Sequence, residues 1–297
     1  MRHSGRSQSS GVTDPLRPLW DFDDLDSSEE RFRARLDAAS GTGRAELLTQ
    51  LARVEGLRGD FEAGERLADE ADALAGESEV ARARVDLERG RLRRSSGNTE
   101  AALPLFESAY AISLEARAYF IAADAAHMAA LAVQGHDGFV AWTERGVALA
   151  EEHAGASYWL GPLLNNLGWE HYEAGRYADA LDAFERALAA RQRDPRNADG
   201  LALARYAVGK ALRALGHPEE AIPHLELAVA WAESTGMPDG WYHEELAEEY
   251  AAVDRAGDAS AQAVLALPLL ENADATFSAD GERAARLREL AGTTSGR

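Results

Sequence analysis

The chain has 297 residues, of which 46% are hydrophobic and 28% are charged, a composition typical of a folded protein and not of a disordered one. Its 51 acidic and 31 basic side chains give a formal net charge of −20, which opposes binding to nucleic-acid phosphates or anionic lipid. The absence of cysteine excludes disulfides, thiolate zinc sites and a cysteine nucleophile.

Residues 1–26 are predicted to form a disordered or extended arm, with disorder over residues 1 to about 15. Around Trp20, Phe22 and Leu25 the arm is acidic and aromatic. No apolar segment follows its basic start, and no apolar stretch approaches the roughly 18 residues that a membrane span needs. We therefore expect a cytoplasmic protein. Its abundant alanine and its single lysine, Lys210, are typical of a GC-rich genome and predict a bacterial origin.

Residues 27–43 are predicted to form an N-terminal capping helix. Ser27 and Glu30 have the spacing of a capping box, and Phe32 and Leu36 share one face of the helix that follows. Glycines at 41 and 43 then interrupt the helical pattern.

A glycine followed by a small or polar residue recurs along the chain at intervals of 38, 38, 40, 41 and 41 residues. Alanine-rich apolar patterns with helical spacing flank each glycine, so the period predicts an array of antiparallel helix pairs over residues 44–271. Residues 272–297 are predicted to form a C-terminal capping helix near 281–291 and a tail. The repeated dipeptides are Gly59-Asp60, Gly97-Asn98, Gly135-His136, Gly175-Arg176, Gly216-His217 and Gly257-Asp258.

The clearest repeat resembles the tetratricopeptide repeat, which places Leu-Gly and an aromatic residue on its first helix and Ala and an aromatic residue on its second. The resemblance covers about residues 44–271. It implies an all-α solenoid, a right-handed superhelix of about six hairpins with capping helices at both ends, and its long period is similar to that of the repeats of kinesin light chains. The residues that carry it are Leu164, Leu167, Gly168, His171, Gly175, Ala180, Phe184 and Ala187, with Pro195 beyond.

The second repeat departs from this pattern. Arg89, Arg93 and Ser96 occupy positions where the family has apolar residues. Either this helix is rotated about its axis, or its arginines pair with buried acids.

The resemblance also implies a non-enzymatic scaffold that binds a protein or peptide in a concave groove lined by the first helix of each hairpin. In each hairpin we call the stripe the residue that follows the position equivalent to Gly168, together with the residues four before and three after it, which share one helical face. The stripe places Arg, Lys, Asn, Trp and Tyr in this groove, and Asp254 is its only definite acid. Such residues dominate binding hot spots. The predicted peptide-binding residues are Asn165, Trp169, Tyr172, Tyr206, Lys210 and Arg213.

The predicted partner is an acidic or carboxylate-ended peptide. Asn165 would form hydrogen bonds with the peptide backbone, and the three aromatic residues would pack on the peptide. Lys210 and Arg213 would pair with its negative charge. The competing interpretation is that Trp169 and Tyr172 only pack against neighbouring helices while the two cations form a solvated face. The arm around Trp20 leaves two readings as well: it either docks in the groove as a self-ligand or only covers the first hairpin.

Each enzyme motif that the sequence suggests lacks a required residue, so no catalytic residue, metal or cofactor is predicted. His243-Glu244 begins like a helical zinc-protease motif, but Ala247 stands where the second histidine is needed. Lys210 follows a glycine but lacks the rest of a phosphate loop. The alternative to a scaffold is a ligand-responsive regulator that senses a small molecule or a signalling peptide. The sequence leaves the oligomeric state open.

Overall fold

The computed structural model describes residues 14–193, 198–274, 276–277 and 281–292. Residues 1–13 of the segment predicted to be disordered, Pro195 of the repeat pattern and the predicted tail at 293–297 lie outside this part. The fourteen α-helices in the described residues are α1 (Leu25–Leu36), α2 (Gly41–Arg58), α3 (Phe61–Ala75), α4 (Glu79–Ser95), α5 (Thr99–Glu115), α6 (Tyr119–Ala132), α7 (His136–Glu152), α8 (Leu160–Glu173), α9 (Tyr177–Gln192), α10 (Ala198–Leu215), α11 (Pro218–Ser234), α12 (Gly240–Ala252), α13 (Ala256–Ala273) and α14 (Gly281–Leu290).

Consecutive helices pack as hairpins, and within each of two units the hairpins stack on one another. We call α2, α4, α6, α8, α10 and α12 the first helices of the six hairpins. The chain divides into two compact units, unit 1 at Met1–Leu163 and unit 2 at Leu164–Arg297. Within unit 1, α2 contacts α4 and α4 contacts α6, and within unit 2, α10 contacts α12. The predicted all-α solenoid of helix hairpins is confirmed.

Glycine ends the first helix of the hairpins because the chain there turns through a left-handed conformation. Gly59, Gly97 and Gly216 have φ values of 82°, 90° and 78°. After each of them, the next backbone N–H donates to a carbonyl five residues earlier, as His217 does to Leu212 over 3.0 Å. This hydrogen bond belongs to the Schellman motif, which satisfies carbonyl groups left free at a helix end.

The sixth hairpin does not use the predicted glycine. Asp254, with φ 58°, ends α12, and the N–H of Arg255 donates to the Tyr250 carbonyl over 2.8 Å. Gly257 lies inside α13. The predicted turn at Gly257 is therefore wrong, because aspartate can also adopt the left-handed conformation and here replaces glycine three residues earlier.

The core between the two helices of a hairpin combines a glycine on one helix with a large side chain on the other. A Cβ atom at Gly168 would lie 2.3 Å from Phe184, and one at Gly90 would lie 2.4 Å from Phe106. Both phenylalanines are fully buried. Glycine at these positions thus lets the two helices approach closely enough to enclose the ring.

The helix that departs from the family pattern, α4, is not rotated, since Gly90 makes the same contact as Gly168. Arg89 instead pairs with Asp69 at 2.7 Å and with Asp72 at 2.9 Å, both on α3. These two acids are exposed, whereas Arg93 pairs at 3.2 Å with Glu65, whose side chain is 25% exposed. The arginines at the departing positions thus pair with acids, as one of the two expectations states, but these acids are exposed or only partly buried.

The first helix begins earlier than the capping box predicts. Asp24, and not Ser27, is its N-cap, and the Asp24 carboxylate accepts a hydrogen bond from the Ser27 N–H over 2.9 Å. Ser27 lies inside α1. Aspartate is as good an N-cap as serine, and in this case it comes first in the chain.

Two glycine-to-alanine substitutions test the corrected turn. Gly257→Ala is expected to raise the free energy of unfolding by up to about 0.5–1 kcal/mol, because this glycine is helical and its Cβ position is open. Gly216→Ala is expected to lower it by about 1–2 kcal/mol, because alanine is strained at positive φ. Urea denaturation measures both values, and a destabilising Gly257→Ala would contradict the assignment of the turn to Asp254.

Candidate functional site

An aromatic row crosses three successive first helices in unit 2. The Trp169 ring on α8 lies 6.4 Å from the Tyr206 ring on α10, and Tyr206 lies 4.9 Å from Tyr242 on α12. Tyr172 lies 5.6 Å from Trp169. Aromatic pairs at such separations attract one another beyond the area they bury, so the row holds adjacent hairpins together.

The predicted aromatic residues therefore do have a packing role. Trp169 also meets Phe184 of its own hairpin at 5.1 Å. Tyr206 is buried, whereas Trp169 and Tyr172 keep part of their surface in solvent. The row is a structural support whose outer edge is still accessible.

Asn165 lies on α8 one turn before Trp169. Its side chain is buried, and its Oδ1 atom accepts no hydrogen bond from the described residues. A buried amide oxygen without a donor costs about 1–3 kcal/mol, so a donor supplied by a partner would stabilise this position.

The two predicted cations of α10 share one acid of the same chain. Lys210 Nζ lies 2.5 Å from Glu245 Oε1, and Arg213 Nη1 lies 3.0 Å and 2.9 Å from the two Glu245 oxygens. Arg213 Nε is also 3.5 Å from Glu249. The side chain of Glu245 is only 3% exposed, whereas that of Arg213 is 44% exposed.

These contacts correct the predicted acid content of the stripe. Asp254 lies in the turn after α12, whereas Glu245 and Glu249 lie next to Lys210 and Arg213. Counting from Asp254 instead of Gly257 puts Glu244 and Glu248 in the stripe, whereas Glu245 and Glu249 each lie one residue further along α12, next to Lys210 and Arg213. The spacing of four residues between Glu245 and Glu249, opposite Lys210 and Arg213, is the sequence signal that could have identified them.

A second set of ion pairs joins α12 to α14. Arg283 holds Glu244 with two hydrogen bonds of 2.6 Å, and Arg286 lies 3.2 Å from Glu248. Acids on one helix thus meet arginines on the next, and the C-terminal helix covers the acidic side of α12.

In unit 1 the segment after residue 13 lies against the first helices. We call residues 14–22 the arm segment. The Trp20 indole N–H donates to Gln50 Oε1 on α2 over 2.8 Å, and Asp14 Oδ2 lies 2.5 Å from Arg84 Nη2 on α4. Leu16, Leu19 and Trp20 are buried in the core formed with α1 and α2.

Arg53 on α2 is stacked beneath this arm segment. Its guanidinium carbon lies 5.0 Å from the centre of the Trp20 ring and 5.1 Å from that of Phe22. The two rings are themselves stacked at 4.9 Å. The acidic and aromatic side chains of the arm segment therefore contact the first helices of unit 1.

Two matches to the tetratricopeptide repeat family cover residues 161–194 and 202–235, which correspond to the fourth and fifth hairpins. The chain contains tetratricopeptide repeats at these two hairpins. Repeats of this family serve in general as scaffolds for protein interaction, and this general role is assigned to the chain. No curated protein sequence matches it.

Similar solved structures share the fold at low sequence identity. A Signal Transduction ATPase with Numerous Domains protein with a tetratricopeptide repeat sensor, from Pyrococcus horikoshii, is 14% identical with a TM-score of 0.71, covering 91% of this chain and 42% of its own. The apo form of RapI is 12% identical with a TM-score of 0.64, covering 93% and 73%. BtubC from P. vanneervenii is 20% identical with a TM-score of 0.57, covering 75% and 93%. The chain thus spans less than half the length of the first of these proteins.

Over the described ranges, no helix has the length and apolar character needed to cross a membrane. Histidine, aspartate and glutamate side chains there form no group that could hold a metal ion.

Glu249 gives unit 2 a testable dependence on pH. Burial raises the pKa of its carboxyl to about 7 from an ordinary value of 4.5, the nearby Arg213 opposes this rise, and Glu245 and Glu248 add to it. The folded chain therefore binds more protons than the unfolded chain between pH 4.5 and 7. The stability that this group contributes is present below its unfolded pKa and is lost as pH rises through 7.

Glu249→Gln is expected to raise the free energy of unfolding by about 2 kcal/mol at pH 8 and by clearly less at pH 5. Urea denaturation of both proteins at the two pH values measures the difference. Glu185→Gln, at an exposed position of α9, is the control and should change neither value. An equal effect of Glu249→Gln at both pH values would show that Glu249 does not titrate in this range.

Proposed function

We propose that the chain is a non-enzymatic scaffold that binds an acidic or carboxylate-ended peptide along the first helices of unit 2. The proposal rests on the ion pairs and the solvent exposure of Arg213. Its Nη1 and Nε atoms face Glu245 and Glu249, yet 44% of its side chain is in solvent beside the accessible edge of the aromatic row.

The cations and acids of this surface are arranged so that a further carboxylate can be accommodated. Lys210 and Arg213 together carry two positive charges, and Glu245 neutralises one of them. Glu249, with a pKa of about 7, is only partly ionised at neutral pH. The proposed peptide carboxylate binds the exposed side of Arg213, and charge-assisted hydrogen bonds of this kind are about twice as strong as neutral ones.

The other predicted residues have matching roles in this proposal. Trp169 and Tyr172 offer their exposed edges to apolar parts of the peptide, and Asn165 accepts a hydrogen bond from its backbone. Tyr206 is buried between Trp169 and Tyr242, so it supports the surface and does not contact the peptide.

Arg213→Gln tests the proposal without removing the partner of Glu245, because Lys210 remains paired with it. Binding is measured by fluorescence polarisation with a library of short acidic peptides made with free carboxyl ends and again as C-terminal amides. We expect Arg213→Gln to weaken binding of the acidic members about tenfold, and Trp169→Ala with Tyr172→Ala to weaken it at least as much.

The matched control is Arg186→Gln on α9. Arg186 has the same side-chain exposure as Arg213, 44%, and it pairs with an exposed acid, Asp182. This variant should bind like the unchanged chain. If all variants remain folded by circular dichroism and Arg213→Gln binds as well as Arg186→Gln, the peptide site does not lie on this surface.

The position of the arm segment favours a second candidate, a regulator that responds to a small molecule or a signalling peptide. Residues 14–22 already occupy the first helices of unit 1 as a ligand would. The similar protein from Pyrococcus horikoshii carries a tetratricopeptide repeat sensor, which supports this candidate by analogy of fold alone.

The second candidate predicts that the arm segment can be replaced. A variant lacking residues 1–22 keeps Asp24, the N-cap of α1. A synthetic peptide of residues 14–22 should bind this variant at least tenfold more tightly than it binds the full chain, because the full chain holds its own copy in place. Isothermal titration calorimetry gives both affinities. Equal, weak binding to both chains, together with a lower melting temperature of the variant, would show that the segment only covers the first hairpin.

A further inference from the structure

A small cavity lies beneath the arm segment in unit 1. Its volume is about 40 Å³, and it lies between residues 14–22, the helices α2, α4 and α6, and the short 3₁₀ helix Ala154–Trp159. This volume has room for about three water-sized groups. Its aromatic lining comprises Trp20, Phe22, Phe120, Tyr158 and Trp159.

Charged side chains also line the cavity, and most of them are paired within the chain. Arg84 is held by Asp14 at 2.5 Å and by Glu46 at 3.1 Å. Asp124 and one oxygen of Glu88 are held by Arg91. These pairs leave no charge on Arg84 or Asp124 that a ligand would need to compensate.

Arg17 and Arg53 differ from the other charged residues of the lining. Among the described residues neither of them forms an ion pair, and both guanidinium groups lie against the Phe22 ring, at 5.3 Å and 5.1 Å from its centre. Arg17 also donates to the Tyr158 hydroxyl over 3.3 Å. Burial lowers the pKa of Arg53, since the charged form has lost hydration without gaining a carboxylate at contact distance.

The indole of Trp159 adds a third donor. Trp159 is buried, and its Nε1 finds no acceptor in the described part of the chain. Buried donors are nearly always satisfied in native proteins, and the indole of Trp159 is such a donor without an acceptor. Because the half-buried guanidinium groups of Arg17 and Arg53 line the same cavity without an ion pair, an acceptor with negative charge would satisfy all three groups.

We propose that this cavity binds a small organic carboxylate, which Arg17 and Arg53 hold by its charge and which Trp20 and Phe22 cover. The size of the cavity limits the ligand to a few heavy atoms, in the class of acetate, propionate and glycine. In glycine the ammonium group would offer a donor to Glu88, whose Oε2 lacks a partner among the described residues. A larger carboxylate fits only if the arm segment moves.

This inference deepens the second candidate function and rests on it, because a ligand under residues 14–22 would strengthen their contact with α2. It does not depend on the peptide site of unit 2. Its test uses no peptide, so a negative result for the cavity leaves the proposed peptide site of unit 2 unaffected, and a negative result for the peptide site leaves the cavity unaffected.

The test titrates the full chain with acetate, propionate and glycine by isothermal titration calorimetry, in a carboxylate-free buffer at constant ionic strength. Acetamide, propionamide and glycinamide are the matched ligands that lack the carboxylate. We expect saturable binding at one site for at least one carboxylate, at least tenfold tighter than for its amide. Amide hydrogen exchange of residues 14–22 should slow when that carboxylate is bound.

Arg53→Gln and Arg17→Gln should each weaken the binding at least tenfold. Arg66→Gln, in the same unit with a 70% exposed side chain, should leave it unchanged. If Arg53→Gln does not fold, Arg17→Gln decides, because the side chain of Arg17 is only partly buried and lies outside α2, α4 and α6. Binding of amides as tight as that of carboxylates, unchanged binding in Arg17→Gln, or no binding by any of the six compounds would overturn the proposal.

Discussion

The close approach of two helices within each hairpin is the constraint on which the rest of this structure depends. Where Gly90 and Gly168 face Phe106 and Phe184, even one additional carbon atom would collide with the ring. A hairpin so formed buries only one of its faces and must lean on the next hairpin. Within each unit the first helices consequently lie side by side, and their side chains contribute to each candidate site.

The charges between adjacent first helices explain how a chain with net charge −20 places cations on this face without leaving them isolated. Lys210 and Arg213 on α10 meet Glu245 on α12, and Arg91 on α4 meets Asp124 on α6. Breaking a buried pair on one side costs several kcal/mol, because the remaining charge stays out of water. These pairs therefore fix the order of the hairpins as well as the charge that a partner meets.

Much of this fold could be predicted from the sequence, because the period of glycines and the apolar spacing are local signals. The register of the last hairpin could not, because Asp254 and Gly257 are both able to end a helix and only the packing of α13 decides between them. This error of three residues removed Glu244 and Glu248 from the predicted stripe. Glu245 and Glu249 lie one residue beyond the stripe positions, so only the contact between α10 and α12 reveals them. The partners of Arg53 were also beyond prediction, since the arm segment that covers it lies more than thirty residues earlier in the chain.

The two units compensate the positive charges on their first helices in different ways. In unit 2, a glutamate of the following helix compensates the cations, and the aromatic residues stack on one another. In unit 1, Arg53 is covered by aromatic rings from a separate segment, which compensates its charge only partly, since a cation over a ring gains about 0.5–2 kcal/mol and a buried charge loses more on leaving water. A carboxylate reaching unit 2 must therefore compete with Glu245, whereas one reaching the cavity of unit 1 meets Arg17 and Arg53, which have no acid at contact distance among the described residues. For this physical reason, we propose recognition of a very small anion in unit 1 and of a longer segment, which adds aromatic contacts to its charge, in unit 2.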